Sequence, residues 1–428
     1  MIKRIKPPKK IQGILNVPPD KSITHRAVLF SALSRGTSTI HNPLQSEDCL
    51  STLSCIEALG CRVEKAKGTW TITSPGLGHF QKPNKPFDCG NSGTTMRLLS
   101  GILAAQDFES VLIGDPSLSK RPMNRISEPL GQMGALFSLH EDRYPPIKIK
   151  GSPNPQPIQW NNRIASAQVK SAVLLAALHA KGKTVYSEPS LSRDHTERML
   201  LAAGGKIEEK EGTLVLEGPQ FLKPVNWSIP GDFSSASFFI MAGLLKTGSQ
   251  VEIPSVNINP TRTGLLDLCT NLGAQIDIKN KKEMGGEPLG DIHLASSPLR
   301  PFSLSSKLVP RLIDEIPILA VAATQTKGTS SFDGIGELRI KETDRISAVV
   351  KNLSAMGAQI EERENGIVIK GPTPLKGASL SSFGDHRIAM AFAVAALLAE
   401  GETTLEDAES VSISYPSFWK DLEKVCVS

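Results

Sequence analysis

Met356-Gly357-Ala358-Gln359-Ile360 ends an apolar helical pattern on a glycine and opens an alternating strand at once. The same phrase occurs at Leu59-Gly60-Cys61-Arg62-Val63, Met133-Gly134-Ala135-Leu136-Phe137, Ala203-Gly204-Gly205-Lys206-Ile207 and Leu272-Gly273-Ala274-Gln275-Ile276. Glycine past a helix end supplies the left-handed residue that turns the chain back into a strand. A charged or glycine-containing turn and a second strand follow, as over Ile360 to Lys370. Phe418 to Val425 reads as a sixth copy cut short by the end of the chain.

A second set of helices interleaves with these. They are alanine-rich and apolar on most faces, which predicts burial, and they begin near Ser22, Ser92, Ser166, Ser234, Glu315 and Asp385. The repeating unit is then a buried helix, a strand, an amphipathic helix and two strands. The unit is about 70 to 80 residues long, and six such units fit the 428 positions. Val17-Pro18-Pro19-Asp20-Lys21-Ser22 also matches Ile229-Pro230-Gly231-Asp232-Phe233-Ser234, 212 residues later. Duplication into two three-unit lobes explains the match; coincidental PxD turn chemistry is the other reading. Asp20 and Asp232 are the expected N-caps, with prolines stiffening both crossings.

Composition narrows the class. A chain of 428 residues exceeds one ordinary core, so two domains are expected. Hydrophobic residues make up 39% and charged residues 21%, as in a soluble globular protein, and 35 glycines with 30 prolines suit many short turns. A net charge of +5 is too mild for a nucleic-acid tail, and 5% aromatics are too few for stacking platforms. Concentrated in one cleft, that charge would attract small acidic substrates. Cys49, Cys55, Cys61, Cys89, Cys269 and Cys426 form no CxxC and lie near no histidine at zinc-ligand spacing, so they read as reduced thiols. MIKRIKPPKK is followed by no apolar secretory core, and Ile388 to Ala399 is too short for a membrane span. A cytoplasmic location is expected, with no nucleic acid, no membrane and no metal.

Polar residues gather where the buried helices begin. Lys21, Ser22 and Arg26 open the first, Gly90-Asn91-Ser92-Gly93-Thr94 the second and Ser166-Ala167-Gln168-Val169-Lys170 the third. Asp314 and Glu315 open the fifth, and Asp385-His386-Arg387 the sixth. Lys120-Arg121 and Arg193 lie in loops. Small residues at a helix start let an anion approach the backbone N–H groups, although they are also ordinary cap chemistry. Lys341-Glu342-Thr343-Asp344-Arg345 follows a strand-like run, Thr329 to Ile340, and precedes a helix-like one, Ile346 to Met356. At i, i+4 spacing Lys341 and Arg345 are expected on one face of the first turn, where the dipole disfavours cations unless an anion joins them. A solvated, charged first turn is the alternative. Lys21, Arg26, Arg121, Arg193, Lys341, Arg345 and Arg387, at corresponding places in a repeat, imply a cleft binding at least two anionic groups.

Asp20-Lys21-Ser22-x-x-His25-Arg26, Gly90-Asn91-Ser92-Gly93-Thr94, Lys120-Arg121-Pro122-Met123, Ser166-Ala167-Gln168-Val169-Lys170-Ser171, Lys341-Glu342-Thr343-Asp344-Arg345 and Gly384-Asp385-His386-Arg387 occur in that order. As an ordered set they resemble the 5-enolpyruvylshikimate-3-phosphate (EPSP) synthase family, from about residue 10 to residue 419. The resemblance implies an α/β fold of two discontinuous domains, residues 1–18 with 231–428 and residues 19–230, with a hinge near 18–20 and 230–232. Each domain would hold three βαβαββ units in an inside-out α/β barrel. The implied reaction moves the enolpyruvyl group of phosphoenolpyruvate (PEP) to the 5-hydroxyl of shikimate 3-phosphate. It is the penultimate step of chorismate synthesis.

Roles follow from the same resemblance. Asp314 is the implied base, and Lys21 and Glu342 handle protons around PEP, with the division between them open. Arg121, Arg345 and Arg387 would hold PEP, assisted by Gly93, Gln168 and Lys21. Ser166, Ala167, Gln168 and Arg193 would hold the 3-phosphate, with Lys21, Ser22, Arg26, Lys341 and Asp314 completing the shikimate side. No metal or organic cofactor is implied, a monomer is expected, and glyphosate is the implied inhibitor.

The chain departs from the family pattern in places. Pro19 stands where a glycine usually precedes Asp20, and Ser412-Ile413-Ser414-Tyr415-Pro416 lacks a lysine that many members carry. Ala167 replaces a serine of some members, and the Arg193-Asp194-His195-Thr196-Glu197 segment occurs in only part of the family. A sister enolpyruvyltransferase acting on UDP-N-acetylglucosamine uses a cysteine in the loop corresponding to Gly114 to Met123, where this chain has none. An anion- or RNA-binding repeat protein is the rival of another class; it would have no use for Asp314 and Glu342 beside the cations.

Overall fold

The computed structural model describes residues 1–427. They divide into two compact units. The first joins Met1–Pro18, Pro230–Lys282 and the chain from Pro288 onward; the second joins Pro19–Ile229 and Glu283–Glu287.

Each unit is organised on three buried helices. In the second these are α1 (Lys21–Leu33), α2 (Gly93–Leu103) and α3 (Ala167–Ala177). In the first they are α4 (Phe233–Leu245), α5 (Ile316–Ala323) and α6 (His386–Leu398). They are apolar around their circumference, so burial on every side is their only stable environment. In α4, every residue from Phe233 to Leu244 is buried. Small residues let such helices approach closely: a Cβ on Gly101 of α2 would lie 2.2 Å from the Ala172 carbonyl oxygen of α3. Pro317 is accommodated because it sits in the first turn of α5, where no intrahelical N–H partner is lost.

The sheets repeat one wiring. Phe87–Asp88 runs parallel to Glu109–Ile113, which pairs antiparallel with Tyr144–Lys150, which pairs antiparallel with Leu136–His140. The same parallel–antiparallel–antiparallel order joins Gln159–Asn161, Gly182–Ser187, Thr213–Gly218 and Glu208–Lys210. It recurs in the first unit through Ser303–Leu304, Gly328–Asp333, Gly366–Gly371 and Gln359–Arg363. Lys3–Ile5 completes another sheet there by pairing with Thr403–Glu406, which ties the N-terminus to the C-terminal third of the chain.

The two crossings between units involve a strand exchange. Lys10–Ile14 precedes α1 but pairs in parallel with Gln250–Asn257, the strand after α4. Asn226–Ser228 precedes α4 but pairs in parallel with Gly36–His41, the strand after α1. At the crossings, Asp20 accepts from the Ile23 N–H and Asp232 from the Ser234 N–H, so both aspartates cap their helices. The Asp232 N–H itself donates to the Pro18 carbonyl at 2.8 Å.

The amphipathic helices end as the repeated phrase requires. Gly60, Gly134, Gly204, Gly273 and Gly357 all take positive φ, between 78° and 105°. All six cysteines are free thiols, and among the described residues no helix is long and apolar enough to cross a membrane.

Candidate active site

The first unit gathers its charged residues around Arg345. Asp344 caps the helix Arg345–Ala355 by accepting from the Ser347 N–H at 3.1 Å. That cap corrects one expectation from the sequence: Lys341 is not in the helix. The strand ends at Asp333, a 3-10 turn occupies Gly336–Ile340, and Lys341 follows it in extended conformation. Arg339 holds this arrangement by pairing with Asp344 at 2.8 Å and Glu362 at 2.9 Å. Lys341 and Arg345 therefore do not share a helix face.

Nor is Arg345 a solvated surface cation. It is 1% exposed, and its guanidinium meets three carboxylates. Nε donates to Asp385 Oδ2 at 2.8 Å, Nη2 to Glu342 Oε2 at 2.6 Å and Nη1 to Asp314 Oδ1 at 3.4 Å. Burial opposes its charge, but Asp385, Glu342 and Asp314 outweigh burial and raise its pKa, so it stays protonated. Arg387 shares Asp314 from the other side, Nη2 to Oδ2 at 3.3 Å. Asp385 also accepts from the Arg387 N–H at 2.8 Å as the N-cap of α6, so one carboxylate orients both arginines. Half-buried Lys341 is held below the ordinary lysine range: burial outweighs the pull of Asp314 and Glu337. Asp314 lies in the 3-10 turn Ile313–Glu315, just ahead of α5.

The second unit carries three clusters. At the start of α1, Lys21 Nζ pairs with Asp48 Oδ2 at 2.9 Å. Beside the start of α2, Arg121 Nη2 donates to Asn91 Oδ1 at 2.6 Å and to Ser117 Oγ at 3.2 Å. Arg97 Nη1 donates to Gln168 Oε1 at 2.6 Å, and Gln168 Nε2 donates to Thr94 Oγ1 at 3.0 Å. Gly93 lies under both arginines: a Cβ there would stand 2.9 Å from Arg97 Nη1 and 3.6 Å from Arg121 Nη1.

The third cluster surrounds the start of α3. Ser166 Oγ caps the helix by accepting from the Val169 N–H, and Ala167 and Gln168 form the first turn. Arg26 is 4% exposed and donates to Thr196 Oγ1 and Ser171 Oγ, both at 2.8 Å, and to the Ser22 carbonyl at 3.1 Å. Burial draws its pKa down to about 10, against the attraction of Glu197. Arg193 is half-buried next to this group, close enough to weigh against the Arg26 charge.

A family model described as EPSP synthase (3-phosphoshikimate 1-carboxyvinyltransferase) matches residues 5–422. The chain belongs to the EPSP synthase family. It is 46% identical over 434 residues to the 3-phosphoshikimate 1-carboxyvinyltransferase of Salinibacter ruber, all of both chains being covered. Identity to the Enterococcus faecalis protein of the same name is 46%, over 97% of this chain and 98% of that one. Among solved structures, the EPSP synthase of Acinetobacter baumannii superposes with a TM-score of 0.89 at 39% identity, covering 100% of this chain and 98% of that one. The enolpyruvyl transferase NikO of Streptomyces tendae shares the fold, with a TM-score of 0.81 at 18% identity over 99% of this chain and 97% of that one.

Set against this EPSP synthase framework, sequence reasoning missed Asp48 and Arg97, and it quoted Asn91 and Asp385 within motifs without giving either a role, although all four organise the clusters. Arg97 carried a usable signal, since it sits one turn after Gly93. Asp48 carried none, because its helix start, Glu47–Ala58, is brought to Lys21 only by folding.

Proposed function

We propose that this chain transfers the enolpyruvyl group of PEP to the 5-hydroxyl of shikimate 3-phosphate, giving 5-enolpyruvylshikimate 3-phosphate and phosphate. The observation that carries the mechanism is the pairing of a buried, permanently charged Arg345 with the carboxylates of Glu342 and Asp314. A charge held in a low-dielectric site is a strong, preorganised anion ligand, and the two carboxylates beside it can move protons.

Protonation of PEP at its methylene carbon creates an oxocarbenium-like centre at C2. The acceptor oxygen adds there as Asp314 removes its proton, giving a tetrahedral ketal. Loss of a methyl proton then expels phosphate and restores the double bond. Lys21 and Glu342 share the proton delivery and removal around PEP. Arg121, Arg345 and Arg387 clamp the phosphate and carboxylate of PEP, with Gly93, Gln168 and Lys21 assisting. Ser166, Ala167, Gln168 and Arg193 hold the 3-phosphate; Lys21, Ser22, Arg26, Lys341 and Asp314 hold the rest of shikimate. Until substrate arrives, Asp385, Glu342 and Asp314 neutralise Arg345, as Asn91 and Ser117 hold Arg121.

In this reading each unit is a domain of three βαβαββ repeats in an inside-out barrel. The domains are residues 1–18 with 231–428 and residues 19–230, hinged near 18–20 and 230–232. The protein works as a cytoplasmic monomer, without a cofactor, and glyphosate inhibits it. The test is phosphate release from PEP with shikimate 3-phosphate or with UDP-N-acetylglucosamine as acceptor. Release only with the sugar nucleotide overturns the assignment.

A further inference from the structure

Lys170 is fully buried one turn into α3, and its ammonium reaches three acceptors. These are Glu197 Oε1 at 2.7 Å, Glu188 Oε1 at 3.3 Å and the Ser192 carbonyl at 3.2 Å. An ammonium has three hydrogens, so its donor capacity is filled by these partners. Glu188 in turn accepts from the Ser166 N–H at 3.1 Å, the Ser192 N–H at 2.8 Å and Ser192 Oγ at 2.6 Å. Its two oxygens thus grip both the N-cap of α3 and the loop that carries Arg193. Ser192, the neighbour of Arg193, is held by both its N–H and its carbonyl. On the other side Asp194 opens the helix His195–Ala202.

A second rung lies alongside. Ser171 and Thr196, the chain neighbours of Lys170 and Glu197, hydrogen-bond each other at 2.6 Å, and Arg26 donates to both. Glu197 also lies close enough to Arg26 to oppose the loss of its charge on burial, so the two rungs are tied electrostatically as well as by hydrogen bonds. A buried lysine with two glutamates is a costly way to stabilise a core, since well-packed apolar residues commonly do as well or better. Its distinctive product is geometry.

We propose that Lys170, Glu188 and Glu197 are positioning residues that fasten the start of α3 to the 188–194 loop and the helix that follows it, so that Ser166, Ala167, Gln168 and Arg193 present one preformed cradle for the phosphate monoester of the acceptor. The proposal rests on the acceptor being shikimate 3-phosphate. None of the three needs to touch substrate. Loosening the cluster displaces the cradle, and an ångström of misplacement can cost on the order of a hundred-fold in rate.

The test compares wild type, Lys170→Met and the near-isosteric Glu188→Gln with two acceptors, shikimate 3-phosphate and shikimate without its phosphate. PEP is the donor throughout. The expected result for Lys170→Met is a loss in kcat/KM for shikimate 3-phosphate of roughly ten- to a hundred-fold, carried mainly by KM. Selectivity over unphosphorylated shikimate falls by the same factor, and the KM for PEP stays within about two-fold. Adding Arg193→Ala to Lys170→Met costs much less than Arg193→Ala costs alone. Equal losses with both acceptors, or a PEP KM that rises in step, overturn the proposal, because they describe general damage. If Lys170→Met does not fold, Glu188→Gln decides, and unchanged selectivity in that variant overturns it. A wild-type protein that releases phosphate with neither acceptor refutes the functional reading instead.

Discussion

Gly93→Ala separates crowding of the anion site from damage to the fold. Gly93 is the first residue of α2, and its φ lies outside the positive region, so alanine is accepted there without backbone strain. Replacing glycine at such a site restricts the unfolded chain and is worth about 0.4–1 kcal/mol of added stability. The new methyl carbon, however, would stand 2.9 Å from Arg97 Nη1, where ordinary contact begins at 3.4 Å. Arg97 cannot swing away freely: it is fixed to Gln168 Oε1 at 2.6 Å and to the Pro122 carbonyl at 3.2 Å. A shift of about half an ångström therefore passes to Gln168 and Thr94, and the methyl narrows the space beside Arg121. In the empty site that small shift offsets part of the gain from alanine; with the space filled by a ligand less can yield, and overpacking of about 1–3 kcal/mol then corresponds to roughly 5- to 150-fold in affinity.

Glyphosate is one bond longer than PEP between its phosphorus and its carboxylate, so the larger share should fall on the inhibitor. The expected outcome is competitive inhibition against PEP in the wild type. In Gly93→Ala, the glyphosate Ki rises at least ten-fold, the PEP KM rises less, and the urea midpoint is unchanged or slightly higher. Steady-state kinetics and urea titration of the same preparations check all three. An unchanged Ki refutes the crowding argument; a lowered urea midpoint together with a raised Ki refutes the separation of site from fold.

Other consequences are equally concrete. Asp314→Ala and Glu342→Ala should each lower kcat by on the order of a hundred-fold or more, while substrate affinity measured by calorimetry changes far less. A Glu342→Ala enzyme with near-wild-type kcat removes that residue from proton transfer. Asp385→Ala loses the cap of α6 and one partner of buried Arg345, about 2–4 kcal/mol in urea unfolding, given that Glu342 and Asp314 remain. Asp385→Asn should recover the capping part alone, and equal losses in both variants contradict this division. His25 is buried against Thr52 Oγ1 at 2.6 Å, and burial pushes its pKa down from 6.5 to about 3. The unfolded chain then takes up a proton below pH 6.5 that the folded chain refuses until about pH 3, so stability falls as pH drops through that window. At pH 4.5 the loss approaches about 2.7 kcal/mol; His25→Gln should flatten the urea midpoint between pH 6.5 and 4.5, and an undiminished slope assigns the effect elsewhere.

What could be read in the sequence was local chemistry. Gly357 and its four counterparts announce helix ends because a left-handed residue there is nearly always glycine, whatever surrounds it. The all-round apolar run Phe233–Leu244 announces burial for a similar reason. The strand exchange at the crossings was not readable: which strand lies beside Lys10–Ile14 depends on partners more than 200 residues away. Two-residue strands such as Phe87–Asp88 are too short to show any period.

Lys341 and Arg345 mark the same boundary inside the site. Their spacing has meaning only if both are helical, and Asp344 decides otherwise by capping the helix at Arg345. Asp344 was visible as a good N-cap residue, so the sequence contained the correction. The outcome is also chemically different from the expectation. A cation on a first-turn face needs an anion from solution to be tolerated there. Arg345 is instead already matched by Asp385, Glu342 and Asp314, and Lys341 is tuned by burial. If Arg345 holds the substrate anion as proposed, that anion competes with carboxylates to which the proposed reaction also gives a part. On the proposed reaction, binding would loosen Glu342 and Asp314 from the guanidinium at the moment their proton-transfer capacity is required. That exchange is the physical reason to expect the carboxylate variants to fail in turnover before they fail in binding.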